Sequence, residues 1–262
     1  MAPIFTPDGT EVEEVILPDG SEASEVIAPD GTVVFEDAIP DSEADQKLVH
    51  RWVLDDVNGM VEDSIANADG TNNGVTSVSG DWAGGSAGDG DGVGDYIETT
   101  TWGDFGSNMG TDFAIALSLK TSTSDDSIFL GVMNQGDSMR LEPQIRSGRL
   151  ELQIADADGD FEREETDSDG FNDDQPYRVV FNKTGNSATD FEIWTNQSQE
   201  ATSTGISQGF SNASDFDIPV WLFAENREGS LDSPLDGVID DICVFNESLT
   251  QSEIESYQNP WS

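Results

Sequence analysis

Only ten of the 262 residues are Lys or Arg, only one is Cys and only one is His. No apolar run approaches the ~18 residues that a membrane-spanning helix needs. Cys243 has no second thiol for an intrachain disulfide, and within Ile242-Cys243-Val244-Phe245 it reads as a small buried hydrophobe. A catalytic thiol would need an electropositive setting, and its neighbours supply none. His50, two residues before Trp52, reads as a packed ring rather than a general base. Nucleophile-elbow, P-loop and zinc-ligand spacings are missing. The opening Met1-Ala-Pro-Ile-Phe-Thr-Pro lacks the basic and apolar regions of a secretory leader. The shortage of cations argues against nucleic acid as a partner, since that affinity rests on Lys and Arg neutralising phosphates. It argues equally against anionic membrane surfaces.

What is abundant is the opposite charge. Fifty-four Asp and Glu give a formal net charge of -44. Such a surface repels itself in dilute buffer. The screening length is ~10 Å at 0.1 M salt and ~3 Å at 1 M, so the composition suits molar salt. Six Trp, thirteen Phe and 35% hydrophobic residues exclude a disordered acidic chain and predict a folded protein of an extreme halophile.

The first 46 residues differ from the rest. Pro7-Asp8-Gly9, Pro18-Asp19-Gly20 and Pro29-Asp30-Gly31 recur every eleven residues, with a degraded copy at Pro40-Asp41-Ser42. Pro presets φ at the first central turn position, and Asp and Gly suit the others. β-prone stretches follow, such as Val12 to Leu17 and Glu25 to Ala28, which predicts a small meander of short strands. So few strands cannot bury enough surface alone, so the arm is expected to dock on something. Its repeats look like the turn-and-strand repeats that precede receptor-type or decoration domains in tailed-virus structural proteins. Residues 42–46 read as a linker.

From residue 47 to 262 the pattern is all-β. Phe113, Ile115, Leu117 and Leu119 alternate along one strand, and Leu150-Glu-Leu-Gln-Ile alternates likewise. Further strands are expected at Tyr177–Phe181, Phe191–Trp194, Val220–Phe223 and Gly237–Phe245, separated by Gly, Asn, Asp and Ser clusters. Thr250-x-x-Glu253 is a capping box opening a helix from Gln251 to Tyr257.

Several segments carry a family pattern: Leu48-Val-His-Arg-Trp52-Val-Leu54-Asp55-Asp56, then Asp63-Ser64 with Asn67, and Gly92-Val-Gly-Asp95-Tyr96-Ile97-Glu98. Leu235-Asp-Gly237-Val-Ile239-Asp240-Asp241-Ile242 closes it, running on to Leu249-Thr-Gln-Ser-Glu253-Ile254. In these the chain resembles the laminin-G-like, concanavalin A-like lectin superfamily over nearly all of residues 48–259. The resemblance implies a two-sheet antiparallel jelly-roll sandwich. It also implies a possible Ca²⁺ site, carried onto Asp63, Asn67, Asp240 and Asp241. A buried carboxylate there must be paired or metal-bound. The alternative is an Asp set that caps turns and accepts backbone amides.

Other candidate sites are weaker. Asp156-Ala-Asp158-Gly-Asp160 echoes an EF-hand loop, but its Gly stands at the fourth position and its twelfth is Asp167. Asp89-Gly-Asp91-Gly is a still fainter echo. Trp82 and Trp102 sit among Gly, Asp and Ser and are the candidates for stacking on sugar, or for covering a sheet edge. Trp194 and Trp221 read as core. Asn182, Asn196, Asn212 and Asn246 head glycosylation sequons. The Glu-x-Asp-x-x-Glu strand of the glucanases that share this fold does not occur, so no enzyme is expected.

The expected function is a virion structural protein of a halophilic virus, of the haloarchaeal kind. It would form a homo-oligomer and dock to other virion proteins through residues 1–46. Its lectin-like domain would present to a host surface glycan or glycoprotein. The alternative is an extracellular carbohydrate- or protein-binding module of a halophilic archaeon. Either way, lowering NaCl or KCl from molar to ~0.1 M should abolish tertiary structure, because repulsion then reaches across the surface. A near-UV circular dichroism spectrum that stays constant over this range would refute the halophilic reading.

Overall fold

The structure is a computed structural model. It describes residues 44–66, 68–79, 85–101, 111–133, 140–156, 158–185, 190–208 and 218–256, and four short strands within the first 43 residues. The chain divides into two compact units, Met1–Gln46 and Lys47–Ser262. In the first unit β1 (Ile4–Phe5) pairs antiparallel with β2 (Glu11–Val12), and β3 (Glu25–Ile27) with β4 (Val33–Glu36). Each ribbon brackets a Pro-Asp-Gly sequence, the first at Pro7 and the second at Pro29. The described residues form two ribbons, and the Pro18-Asp19-Gly20 turn expected between them lies outside the described residues. Of the expected strand Val12–Leu17, only Val12 falls within them.

The second unit is a two-sheet sandwich. The first sheet runs β19 (Ser198–Gln199), β18 (Phe191–Thr195), β17 (Tyr177–Lys183), β11 (Phe113–Lys120), β24 (Asp236–Phe245), β9 (Ser86–Asp91), β8 (Thr76–Ser79). The far half of the long β24 pairs instead with β5 (Leu48–Trp52). The second sheet runs β20 (Thr202–Ser207), β16 (Phe161–Thr166), β15 (Arg149–Ala155), β14 (Arg140–Arg146), β13 (Leu130–Met133), β21 (Pro219–Leu222), β10 (Tyr96–Thr101), β7 (Gly70–Asn73), β6 (Met60–Val61). Attached to it are β12 (Ser127–Ile128) on β14, and the hairpin β22 (Glu225–Arg227) and β23 (Ser230–Asp232) beside β13. All the paired strands are antiparallel except β13 and β22.

Period-2 alternation builds the core. Phe113, Ile115, Leu117 and Leu119 face inward with Val179 and Phe181 of β17 and Ile239, Ile242 and Val244 of β24. Opposite them lie Leu130, Val132, Leu141, Ile145, Leu150, Leu152 and Ile154 of the second sheet. Gly88 and Gly90 form a floor for Phe223. A Cβ on Gly88 would stand 2.7 Å from that ring, and one on Gly90 only 2.6 Å from the Leu235 carbonyl. The Gly-Asp-Gly-Asp-Gly run is therefore a strand cleared for an aromatic ring, and Asp91 merely caps the turn amides of Val93 and Gly94. The helix Gln251–Ser256 starts as expected. Glu253 N donates to Thr250 Oγ1 at 3.3 Å, and Thr250 N donates back to Glu253 Oε2 at 2.6 Å. Leu249 N donates to Asn182 Oδ1 and the Asn182 amide donates to Leu249 O, which pins this segment to the outer face of β17. Asn182 is thereby buried and closed to glycosylation, whereas Asn196 is exposed at a hairpin tip.

One charged pair lies between the sheets. Glu162 of β16 stands opposite Ile154 and so faces inward, where it meets Lys183 of β17 at 3.6 Å. Neither side chain is exposed. Lys183 also donates to Gly185 O and sits 4.5 Å from the Phe191 ring centre. Burial pushes its ammonium below its usual range, and Glu162 opposes that shift. Removing one partner strands the other, which costs about 3–5 kcal/mol, whereas replacing both by apolar groups is far gentler. Lys183→Met should therefore destabilise the domain severely, and Lys183→Met/Glu162→Leu should recover most of the loss in urea melts at fixed molar KCl. Equal stability of the single and double variants would show that the pair contributes nothing as a pair.

Candidate functional site

Of the residues carried over for Ca²⁺, Asp63 lies on one side of Arg51, and Asp240 and Asp241 lie on the other. Asp63 is bridged to Trp52. Its Oδ1 accepts from the amides of Arg51 (3.0 Å), Ile65 (3.1 Å) and Ala66 (3.2 Å), and its Oδ2 from Ala68 N (3.3 Å), with His50 Nδ1 2.7 Å away. Burial works against its charge, but His50 and the amides outweigh this and hold its pKa at about 2. His50 stacks on Trp52 with 5.4 Å between ring centres, the packed role expected of it.

Asp240 and Asp241 sit at a β-bulge. Ser118 faces Asp240 and Ala116 faces Cys243, so Asp241 and Ile242 stand opposite Leu117 alone. Asp241 adopts φ of 47°, and both its oxygens accept from Arg51, at 3.1 and 3.0 Å. The set therefore does not fit Ca²⁺, which takes six to eight oxygen ligands. Asp63 is occupied by hydrogen donors and Asp241 by a guanidinium. Among the described residues no group of three or more His, Cys, Asp and Glu is arranged to hold a metal ion. Asn67, Trp82 and Trp102 lie outside the described residues. The Asp156 loop is an Asx turn joining β15 to β16, with Asp156 Oδ1 accepting the amides of Asp158 and Asp160 at 3.0 Å each.

A second cluster lies on the outer face of the second sheet, where no site was expected. The registers put Arg140, Glu142, Gln144 and Arg146 of β14 on this face, with Arg149, Glu151 and Gln153 of β15 and Arg163 and Glu165 of β16. Trp221 faces out between Glu98 and Gly131 and stacks on Tyr96, ring centres 4.0 Å apart. It is buried as expected, but outside the inter-sheet core. The β22–β23 hairpin adds Glu225 and Arg227. Five of the seven Arg of the chain thus share one sheet face.

Their partners are buried carboxylates. Glu151 lies between Arg163 (3.6 Å) and Arg146 (3.8 Å) and accepts from Gln144 (2.8 Å) and from Gln153. Glu142 lies 3.1 Å from Arg140, and Glu225 lies 3.1 Å from Arg227. Burial first, then the neighbouring Glu225, pushes Glu142 well above the usual carboxylate range. That favours a neutral carboxyl able to donate a hydrogen bond. Above these acids the guanidinium groups stay partly wet, with side-chain exposures from 18% at Arg140 to 50% at Arg227. Glu142 Oε1 and Glu151 Oε2 meet Arg140 Nε and Arg163 Nε as ion pairs at 3.1 and 3.6 Å, and Trp221 Nε1 is buried without a hydrogen-bond partner among the described residues. Arg140-x-Glu-x-Gln-x-Arg146 and Arg149-x-Glu-x-Gln carried the signal: scarce cations repeating with period 2 on one face.

No protein-family model matches the chain, and no curated protein matches it in sequence. Solved structures do. The binding domain of Paraclostridial Mosquitocidal Protein 1 is similar over 81% of this chain and 52% of that one, at 13% identity and a TM-score of 0.59. Domain 4 of an extracellular arabinanase from Geobacillus stearothermophilus, in complex with arabinotriose, is similar over 81% of this chain and 98% of that one. There the identity is 16% and the TM-score 0.56. A structure of botulinum neurotoxin type C, whose cell entry depends on two ganglioside molecules, is similar over 84% of this chain and 52% of that one. There the identity is 13% and the TM-score 0.61. The chain spans about half the length of the toxin structures it matches. At these identities the likeness shows the fold: an all-β sandwich of two antiparallel sheets, as the sequence predicted.

Asp240 offers a test of the first cluster. It is buried, and this, with Asp241 and Asp55 nearby, raises its pKa to about 7. The folded state then binds a proton that the unfolded state has released above pH ~4, so this group costs stability as pH rises from 4 to 7. Asp240→Asn should raise Tm by about 3–6 °C at pH 8 and leave it nearly unchanged at pH 4. A variant that melts like the parent at pH 8 would show that Asp240 carries no such penalty.

Proposed function

We propose that residues 47–262 form a lectin-like binding module that works in molar salt. We assign the chain to the surface of a halophilic virus particle, where residues 1–46 dock to other structural proteins and the sandwich engages a host glycan. The observation that carries this reading is the outer face of the second sheet. A chain with ten cations places five Arg there, interleaved with Gln and Glu. Alternating fork-shaped donors and paired acceptors suit the vicinal hydroxyls of sugars. The stacked Tyr96–Trp221 pair adds an aromatic flank for a sugar ring. Trp221 Nε1, buried without a hydrogen-bond partner among the described residues, adds one donor beneath the guanidinium layer.

Three further points support it. One similar domain is in complex with arabinotriose, and the toxin of another similar structure depends on gangliosides for cell entry. Charges on this face are nearly balanced, so it can approach a ligand without the repulsion of the remaining surface. And repeated display on a particle would convert weak sugar contacts into avidity of ~10²–10⁴. Binding rather than catalysis is the proposed role.

The test is a glycan array probed in 3 M KCl, followed by calorimetry on the strongest hit. Arg163→Gln/Arg227→Gln should weaken binding at least ~10-fold, about 1.4 kcal/mol. Lys120→Gln, on the first sheet, should leave it unchanged. Removal of residues 1–46 should spare glycan binding and abolish incorporation into particles. If no glycan binds, or if the double Arg variant binds as the parent does, the face is structural and the reading fails.

A further inference from the structure

In a chain this acidic, uncharged stretches are informative. The longest run without Asp, Glu, Lys or Arg is residues 201–214, and the next is 70–80. The third, 127–136, falls largely on buried strands of the second sheet. The first two coincide with the long edge strands: β20 ends the second sheet and β8 ends the first. At the opposite ends of the two sheets, β6 and β19 are only two residues long, and β5, a further edge beside β24, is bridged by Asp63 and Ser64. Edge strands in monomers are normally guarded by charge, by Pro or by shortness. Two edges here are short, while β20 is long, carries no charge and presents Ser203, Thr204, Gly205 and Ser207 to solvent.

We infer that β20 is a docking edge for the β20 of a second copy, the two pairing antiparallel about a two-fold axis so that the second sheet continues through the dimer. The backbone is poised for this. Ala201 O and Gln208 N both bond to the β16 side. Alternation therefore leaves the N–H and C=O groups of Thr202, Thr204 and Ser207 for the open side. A bulge at Gly205, over which the Arg163 guanidinium lies, twists the strand but keeps those positions outward. Paired strands stand ~4.8 Å apart, so two anionic surfaces can meet that closely only where carboxylates are lacking. β20 meets that condition on both sides of a self-pairing, and it sets Thr and Ser against Thr and Ser, which hydrogen-bond across strands. A foreign strand would satisfy the backbone equally but not this mutual lack of charge. The pairing is isologous and closes at two copies. It would set the two Arg-rich faces side by side, yet it does not depend on the glycan reading.

The full chain in 3 M KCl should sediment as a dimer. Thr204→Pro removes an outward N–H without touching the β16 ladder and should give a monomer with an unchanged near-UV spectrum. Thr204→Val, which keeps that N–H, should remain dimeric. Should Thr204→Pro misfold, hydrogen exchange of the parent protein decides: amides of residues 202–207 should exchange at least tenfold more slowly at a concentration where the dimer dominates than where it has dissociated. A monomeric parent, a Thr204→Pro protein that associates as the parent does, or β20 amides indifferent to concentration would each overturn the inference. A monomer that still binds sugar would overturn it alone and leave the proposed function standing.

Discussion

A carboxylate taken out of water must find a cation or a set of N–H donors, or keep its proton. This chain has fifty-four acids and ten Lys and Arg to meet that requirement. At least nine of those ten lie within 4.0 Å of a carboxylate oxygen. Seven of the nine reach a carboxylate that the fold buries: Glu253, Asp241, Glu142, Glu151, Glu162 or Glu225. Cations are thus committed to the interior and to one sheet face rather than scattered over the surface. Where none is left, other devices appear. Asp156 takes turn amides, and Asp240 drifts toward a neutral carboxyl.

The same scarcity separates two populations of charge. Exposed carboxylates repel one another at long range and depend on dissolved salt to damp that repulsion. Buried pairs such as Lys183–Glu162 are screened little by salt and hold in any buffer that keeps the fold closed. Dissolved salt therefore acts on the exposed carboxylates, while the buried pairs tie one strand to another. The Arg51–Asp241 clasp illustrates this. It joins β5 to the bulge in β24, and its backbone amide also holds Asp63, so one residue ties together three segments.

Much of the sandwich was legible in the sequence because its signals are local. The alternation of Phe113 to Leu119 and of Leu150 to Ile154, the Thr250–Glu253 capping box, the buried Cys243 and the packed His50 depend on neighbours within a few residues. What stayed hidden depends on burial from a distance. Phe161-Glu-Arg-Glu-Glu-Thr looks like a solvated strand, yet Glu162 and Glu164 are buried on its inner side, where the apolar alternation of the sheet ends. Glu142, Gln144, Glu151 and Gln153 also read as outward and wet, and nothing local announces that they are covered. The bonding of Asp63 was hidden for a related reason. A sequence shows where carboxylates are but not where amides point, and five donors converge on Asp63.

The polar face follows from the same constraint. Once Glu151, Glu142 and Glu225 are buried beneath the second sheet's outer surface, cations must come to that surface to compensate them. Each guanidinium that does so has more N–H groups than its buried partner can use. Arg140 spreads its donors beyond Glu142 at 3.1 Å, reaching Gln153 at 2.9 Å and Met133 Sδ at 3.0 Å, and lies 5.2 Å from the Phe161 ring centre. A face built to neutralise buried acids therefore ends with guanidinium groups turned partly to solvent beside amide and carboxylate acceptors. The face on which the proposed glycan reading rests is thus one that the stability requirement alone is enough to have furnished with Arg.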